Sequence, residues 1–91
     1  MKEVFKKAVQ DKVLKKIMFF YHENPSCVDN SENIASWINE GKKDVLSRLE
    51  YLVSKQILNK DKTSATAAYS YTQDKKIIEK IALFIKGDSY D

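Results

Sequence analysis

The chain has one histidine, His22, and one cysteine, Cys27. A tetrahedral zinc site takes about four ligands, usually Cys and His, and these two are separated by Pro25. Cys27 as a nucleophile needs a positioned base and a pocket, and His22 is its neighbour in sequence only. No glycine-rich phosphate loop is present, and paired carboxylates diagnose nothing among 13 acids. No enzyme, metal site or cofactor is therefore expected. The residues whose types and spacing do suggest chemistry are basic and hydroxyl-bearing. Lys42, Lys43, Ser47 and Arg48 lie close together, and Lys60, Lys62, Thr63, Ser64 and Thr66 form a second cluster. Such side chains donate hydrogen bonds to anionic oxygens.

Net charge is only +3, but its distribution is uneven. Residues 1–23 and 42–62 each carry +3, residues 24–41 carry −3, and residues 63–91 balance. Two basic segments therefore flank an acidic one, and the fold decides whether they make a basic face. With 91 residues, 43% hydrophobic and 32% charged, the chain is expected to fold as a single domain over 1–91. Two Gly and one Pro are few for a sandwich or barrel. No apolar run approaches the ~20 residues of a membrane span, and no apolar stretch follows Lys2, Lys6 and Lys7 as in a secretory signal. A single cysteine forms no internal disulfide, so a cytoplasmic setting is expected.

The elements that must position the two clusters follow from periodicity. Val13, Leu14, Ile17, Met18, Phe20 and Tyr21 recur at helical spacing and predict a first helix over 11–23, ended by Asn24-Pro25. Cys27-Val28 reads as a short extended piece. Asp29 and Glu32 are spaced as an N-cap and its partner, opening a helix over 30–39 with Ile34, Ala35, Trp37 and Ile38 inward. After the turn Asn39-Glu40-Gly41, a helix over 42–55 buries Val45, Leu49, Leu52 and Val53. Residues 57–72 read as a hairpin with its tip at 61–66, in which Tyr69 and Tyr71 share a packed side. Thr72 caps a last helix over 73–86, which Gly87 stops. Residues 1–10 form an N-terminal extension. If it were continuous with the first helix, Val4, Phe5, Ala8 and Val9 would be rotated by roughly 100° from the main apolar stripe. Either the chain breaks near Gln10-Asp11 or this stripe faces something else.

The predicted class is mainly α with a small β-hairpin (α+β), in the order helix-strand-helix-helix-hairpin-helix. A short turn between the second and third helices is a helix-turn-helix, and the following hairpin supplies a wing. On the residues Asp29 to Ala35, Asp44 to Leu52, Lys55-Gln56-Ile57-Leu58 and Tyr69-Ser70-Tyr71-Thr72, the chain resembles the winged-helix regulator superfamily. The likeness is in particular to prokaryotic repressor domains of the multiple-antibiotic-resistance-regulator-like type, and it covers about 11–86. Gln56 stands where many members have Gly, and the wing lacks the Arg and Gly many carry.

The resemblance implies a dimeric, sequence-specific transcription regulator whose partner is double-stranded DNA. Helix 42–55 would enter the major groove and the 61–66 wing would touch the backbone. With Val45, Leu49 and Leu52 inward, Lys43, Ser47, Glu50 and Ser54 point outward, and Lys42, Asp44 and Tyr51 flank them. Lys42 and Lys43 would meet bases or phosphates, Ser47 a base edge or phosphate, and Glu50 a cytosine amino group. Arg48 divides between a phosphate contact and an ion pair with Asp44. Lys60, Lys62, Thr63, Ser64 and Thr66 would serve as phosphate donors. Trp37 reads as core rather than as a stacking platform. A homodimer would use the N-terminal segment (Phe5, Val9), the C-terminal helix (Ile81, Phe84, Ile85), or both. The alternative reading is a winged helix used as a protein-interaction module in a larger assembly, favoured by Asp44 and Glu50 on the outward face.

Overall fold

The computed structural model describes residues 1–63 and 65–87. Among the described residues, five helices and a small antiparallel sheet run in the order α1 (Lys2–Val9), α2 (Lys12–Glu23), β1 (Val28–Asp29), α3 (Ser31–Ile38), α4 (Lys42–Ser54), β2 (Leu58–Lys62), β3 (Ala67–Tyr71) and α5 (Lys75–Ile85). The layout is α+β and compatible with a winged helix. The sheet order is β1-β3-β2. Val28 lies opposite Ser70, Leu58 opposite Tyr71, and Lys60 opposite Tyr69.

The helical stripes meet in one core. Leu14, Ile17, Ile34, Val45, Leu49, Leu52 and Ile81 are fully buried. Tyr69 and Tyr71 close the core from the hairpin, as alternation predicts. The buried Tyr21 hydroxyl donates to the Tyr69 carbonyl at 2.8 Å, tying α2 to β3. That bond lets a polar atom sit inside at little cost. Burial pushes the Tyr71 hydroxyl up to about 12.

The N-terminal break falls at Gln10-Asp11. Asp11 Oδ1 accepts from the Leu14 amide at 3.0 Å and caps α2. The elbow folds α1 back, so Val4, Phe5 and Ala8 are buried in this chain. Phe5 stacks on Phe84 with ring centroids 4.6 Å apart. This corrects the homodimer reading for Phe5, Ile81 and Phe84, and leaves Val9 and Ile85 outside the correction. Phe5, Ile81 and Phe84 are buried within the chain, and Ile85 is half-buried. Phe5 and Phe84 cover each other, and the rest of the N-terminal stripe packs on α2. Val9 alone of the N-terminal pair stays open, at 51% exposure.

Trp37 also departs from expectation, being 70% exposed. On so short a helix, Ile34, Ala35 and Ile38 fill the inward sector. Trp37 projects roughly 100° away from its centre, at about 100° per residue. Two caps shift by one or two residues. Asn30 caps α3 by accepting from the Asn33 amide, while Asp29 accepts from the Asn30 amide and the Asn33 side chain. Asp74 caps α5, and Thr72 Oγ1 accepts from the Asp74 amide. Gln56, after α4, has φ 64, the left-handed region that favours glycine.

Candidate nucleic-acid interface

The inward side of α4 is Val45, Leu49 and Leu52, so Lys43, Ser47 and Ser54 point outward and are exposed. Contacts on the two sides of this strip define its neighbours. On one flank lie Tyr51, Lys55, Arg48 and Asp44; Tyr51 and Lys55 meet α1, and Arg48 meets the elbow at Asp11. Arg48 Nε donates to Asp11 Oδ2 at 2.9 Å, and its Nη1 lies 3.9 Å from Asp44. The Lys7 ammonium sits 4.4 Å from the Tyr51 ring centre. Lys55 pairs with Glu3 at 2.6 Å. That hydrogen bond holds the Glu3 carboxyl low and the Lys55 ammonium high.

The other flank is the hairpin. Lys60 and Tyr69 face each other across β2 and β3, and both reach Glu50 on α4. Lys60 Nζ lies 2.7 Å from Glu50 Oε2, and the Tyr69 hydroxyl donates to the same oxygen. The Lys60 hydrogen bond, and then the Tyr69 one, hold the Glu50 carboxyl below the usual carboxylate range. Burial, then the bond to Glu50, pushes the Tyr69 hydroxyl well above its ordinary value. Glu50 therefore acts as the anchor of the wing on α4.

The candidate residues thus divide. Lys43 and Lys62 are exposed and form no ion pair among the described residues. Lys42 has one loose contact, 3.9 Å from Glu32. Lys60 and Arg48 are committed to Glu50 and Asp11. Ser47 Oγ donates to the Asp44 carbonyl at 3.0 Å and accepts from Arg48 Nη1 at 2.8 Å. Thr63 and Thr66 close the wing turn. The Thr63 amide and hydroxyl both donate to the Thr66 carbonyl, and the Thr66 amide donates to Thr63 Oγ1. Ser64 lies outside the described residues.

Sequence reasoning missed Lys7 and the role of Tyr51. The basic run at the N-terminus was the available signal, but the elbow that swings it beside α4 is a tertiary feature. Three of the acids near the strip (Glu3, Asp11 and Glu50) are each bound to a cation. Lys7, Lys42, Lys43 and Lys62 keep their charge for something else. Among the described residues no group of three or more His, Cys, Asp or Glu is placed to hold a metal ion. No helix among them is long and apolar enough to cross a membrane. The chain matches no protein-family model, no curated protein and no solved structure.

Proposed function

We propose that the chain binds double-stranded DNA as a sequence-specific transcription regulator, with α4 in the major groove. The observation that carries this is the partition of charge around α4. Glu3, Asp11 and Glu50 on the two flanks are each held by a cation and Asp44 loosely by Arg48, while Lys43 and Lys62 stay unpaired among the described residues and Lys42 nearly so. Lys42 and Lys43 occupy the first turn of α4, where cations oppose the helix dipole. Solubility explains them poorly and a phosphate explains them well. Lys62 and the Thr66 hydroxyl reach the backbone from the wing, whose turn Thr63 closes, and Lys7 reaches it from the opposite flank. Ser47 Oγ, its proton given to the Asp44 carbonyl, accepts from a base amino group, and Leu46, 44% exposed, offers an apolar surface for a thymine methyl. One protomer makes few phosphate contacts, so tight binding calls for two protomers on two half-sites. Exposed Leu83 and half-buried Ile85 on α5 are the apolar residues such a pair would cover.

The test is an anisotropy titration with mixed-sequence duplex DNA at ~50 mM salt. Binding should be saturable, and Lys43→Glu should weaken it at least about tenfold. Absence of binding, or binding indifferent to Lys43→Glu, would overturn the reading.

A further inference from the structure

An open cleft of about 740 Å³ lies between α1, α2 and α3, and no residue of α4 or the hairpin lines it. Its walls are Val9, Phe19, Phe20, Trp37 and Ile38. Val9 and Trp37 are exposed, and Phe19 and Phe20 are half-buried. An exposed tryptophan beside an exposed valine and two half-covered phenylalanines is costly in water, and such contiguous apolar surface marks an interaction site. The volume falls in the range of ligand-binding clefts, roughly 300–1,000 Å³.

The rim sets the charge of what fits. Lys12, Lys15 and Lys16 line it against a single acid, Glu23. Lys16 is spent in place: it donates to the Ile38 carbonyl at 3.2 Å and pairs with Glu40 at 2.7 Å. Lys12 reaches the same carboxylate only at 3.6 Å and is 76% exposed. Lys15 forms no ion pair among the described residues, and its ammonium lies 5.8 Å from the Phe19 ring centre. Two loosely held cations therefore stand beside an apolar floor.

We infer that this cleft docks an acidic amphipathic helix of a partner protein, with apolar residues at three- and four-residue spacing on Trp37, Phe19 and Val9 and carboxylates on Lys12 and Lys15. A second copy of the chain fits worse. On the exposed faces of α1, α2 and α5 lysines outnumber the acids Glu3, Glu23 and Glu79, so a second copy would mostly set lysine against Lys12 and Lys15. A single nucleic-acid strand also fits worse. Tracking a phosphate backbone takes a row of free cations; here one of three is locked, and Glu23 closes one end.

The test is selection against the intact chain from a displayed library of random peptides, each about 16 residues long, enough for four helical turns. Binding is then measured by the fluorescence of Trp37, the one tryptophan in the sequence. Enriched peptides should be acidic, with an apolar stripe at helical spacing, and should shift Trp37 emission to the blue. Lys15→Glu should weaken them about tenfold or more, Val9→Glu likewise, and neither substitution should alter the affinity for duplex DNA. Circular dichroism of each variant separates lost binding from lost folding. The inference is overturned if nothing enriches, if enriched peptides are basic or bind both variants unchanged, or if an oligo(dT) strand shifts Trp37 at lower concentration than any peptide. It is also overturned if sedimentation shows a dimer with Trp37 already blue-shifted. Since Lys43 lies outside the cleft, Lys43→Glu should leave peptide binding intact even where DNA binding fails.

Discussion

Replacing Glu50 by glutamine should tighten DNA binding. The carboxylate holds Lys60 at 2.7 Å, so the pair presents no net charge to a phosphate. In Glu50→Gln the side chain keeps an oxygen for the Tyr69 hydroxyl, so the wing stays anchored, but the Lys60 ammonium is freed. Four cations are otherwise available per protomer, Lys7, Lys42, Lys43 and Lys62. If each neutralises one phosphate, the log–log salt slope is about −3.6, and affinity falls about 150-fold between 50 and 200 mM salt. A fifth cation takes the slope to about −4.5 and the fall to about 500-fold. At ~0.1 M salt the added contact is worth about eightfold in affinity. The cost to stability is small, because the pair is part-exposed and such pairs contribute about 0.5 kcal/mol. The assay is anisotropy on a mixed duplex across that salt range, with urea unfolding as a control. An unchanged slope and affinity would place Lys60 off the DNA and refute the partition of charge around α4. Weakening confined to sites with one particular cytosine would instead make Glu50 a base-reading residue.

Three further outcomes follow from the packing. Gln56→Gly should stabilise the chain by about 0.5–1 kcal/mol in urea unfolding, because φ 64 strains a side-chain-bearing residue. Phe5→Ala should cost about 3 kcal/mol by the same measurement, because it empties the stack on Phe84 and loosens α1 from the core. Acid should also unfold the chain progressively. Glu40, through the Lys16 hydrogen bond, and Glu50, through the Lys60 one, have folded-state pKa values below their unfolded ones. Their contribution is complete above the ordinary carboxylate range and is lost as pH falls through the lowered values. The urea midpoint should therefore drop below pH ~4.3, and less steeply in Glu40→Gln.

Periodicity located α2 to α5 within two residues or so, because each has an apolar stripe with one place to go. Short-range capping was less legible, since Asp29 and Asn30 both accept hydrogen bonds at the start of α3 and either could have been the cap. What local pattern could not show was where α1 goes. Its stripe is real, but only the elbow at Asp11 and the waiting face of Phe84 decide that it is satisfied within the chain. The same limit applies to Trp37, whose spacing from Ile34 and Ile38 suggested core although α3 is too narrow to bury it. On the candidate interface, residue types picked out Lys42, Lys43 and Lys62. The pairing of Lys60 with Glu50 required knowing that the hairpin leans back onto α4.

Asp11 gives one oxygen to the Leu14 amide and the other to Arg48. The start of α2 and the aim of α4 are thus not independent variables, and isosteric substitution separates them. Asparagine preserves the oxygen that nucleates the helix but turns an amide nitrogen toward the guanidinium; alanine discards both. The gap between the parent chain and the asparagine variant measures how far the angle of one helix is governed by the opening residue of another, and the gap between asparagine and alanine measures the cap alone.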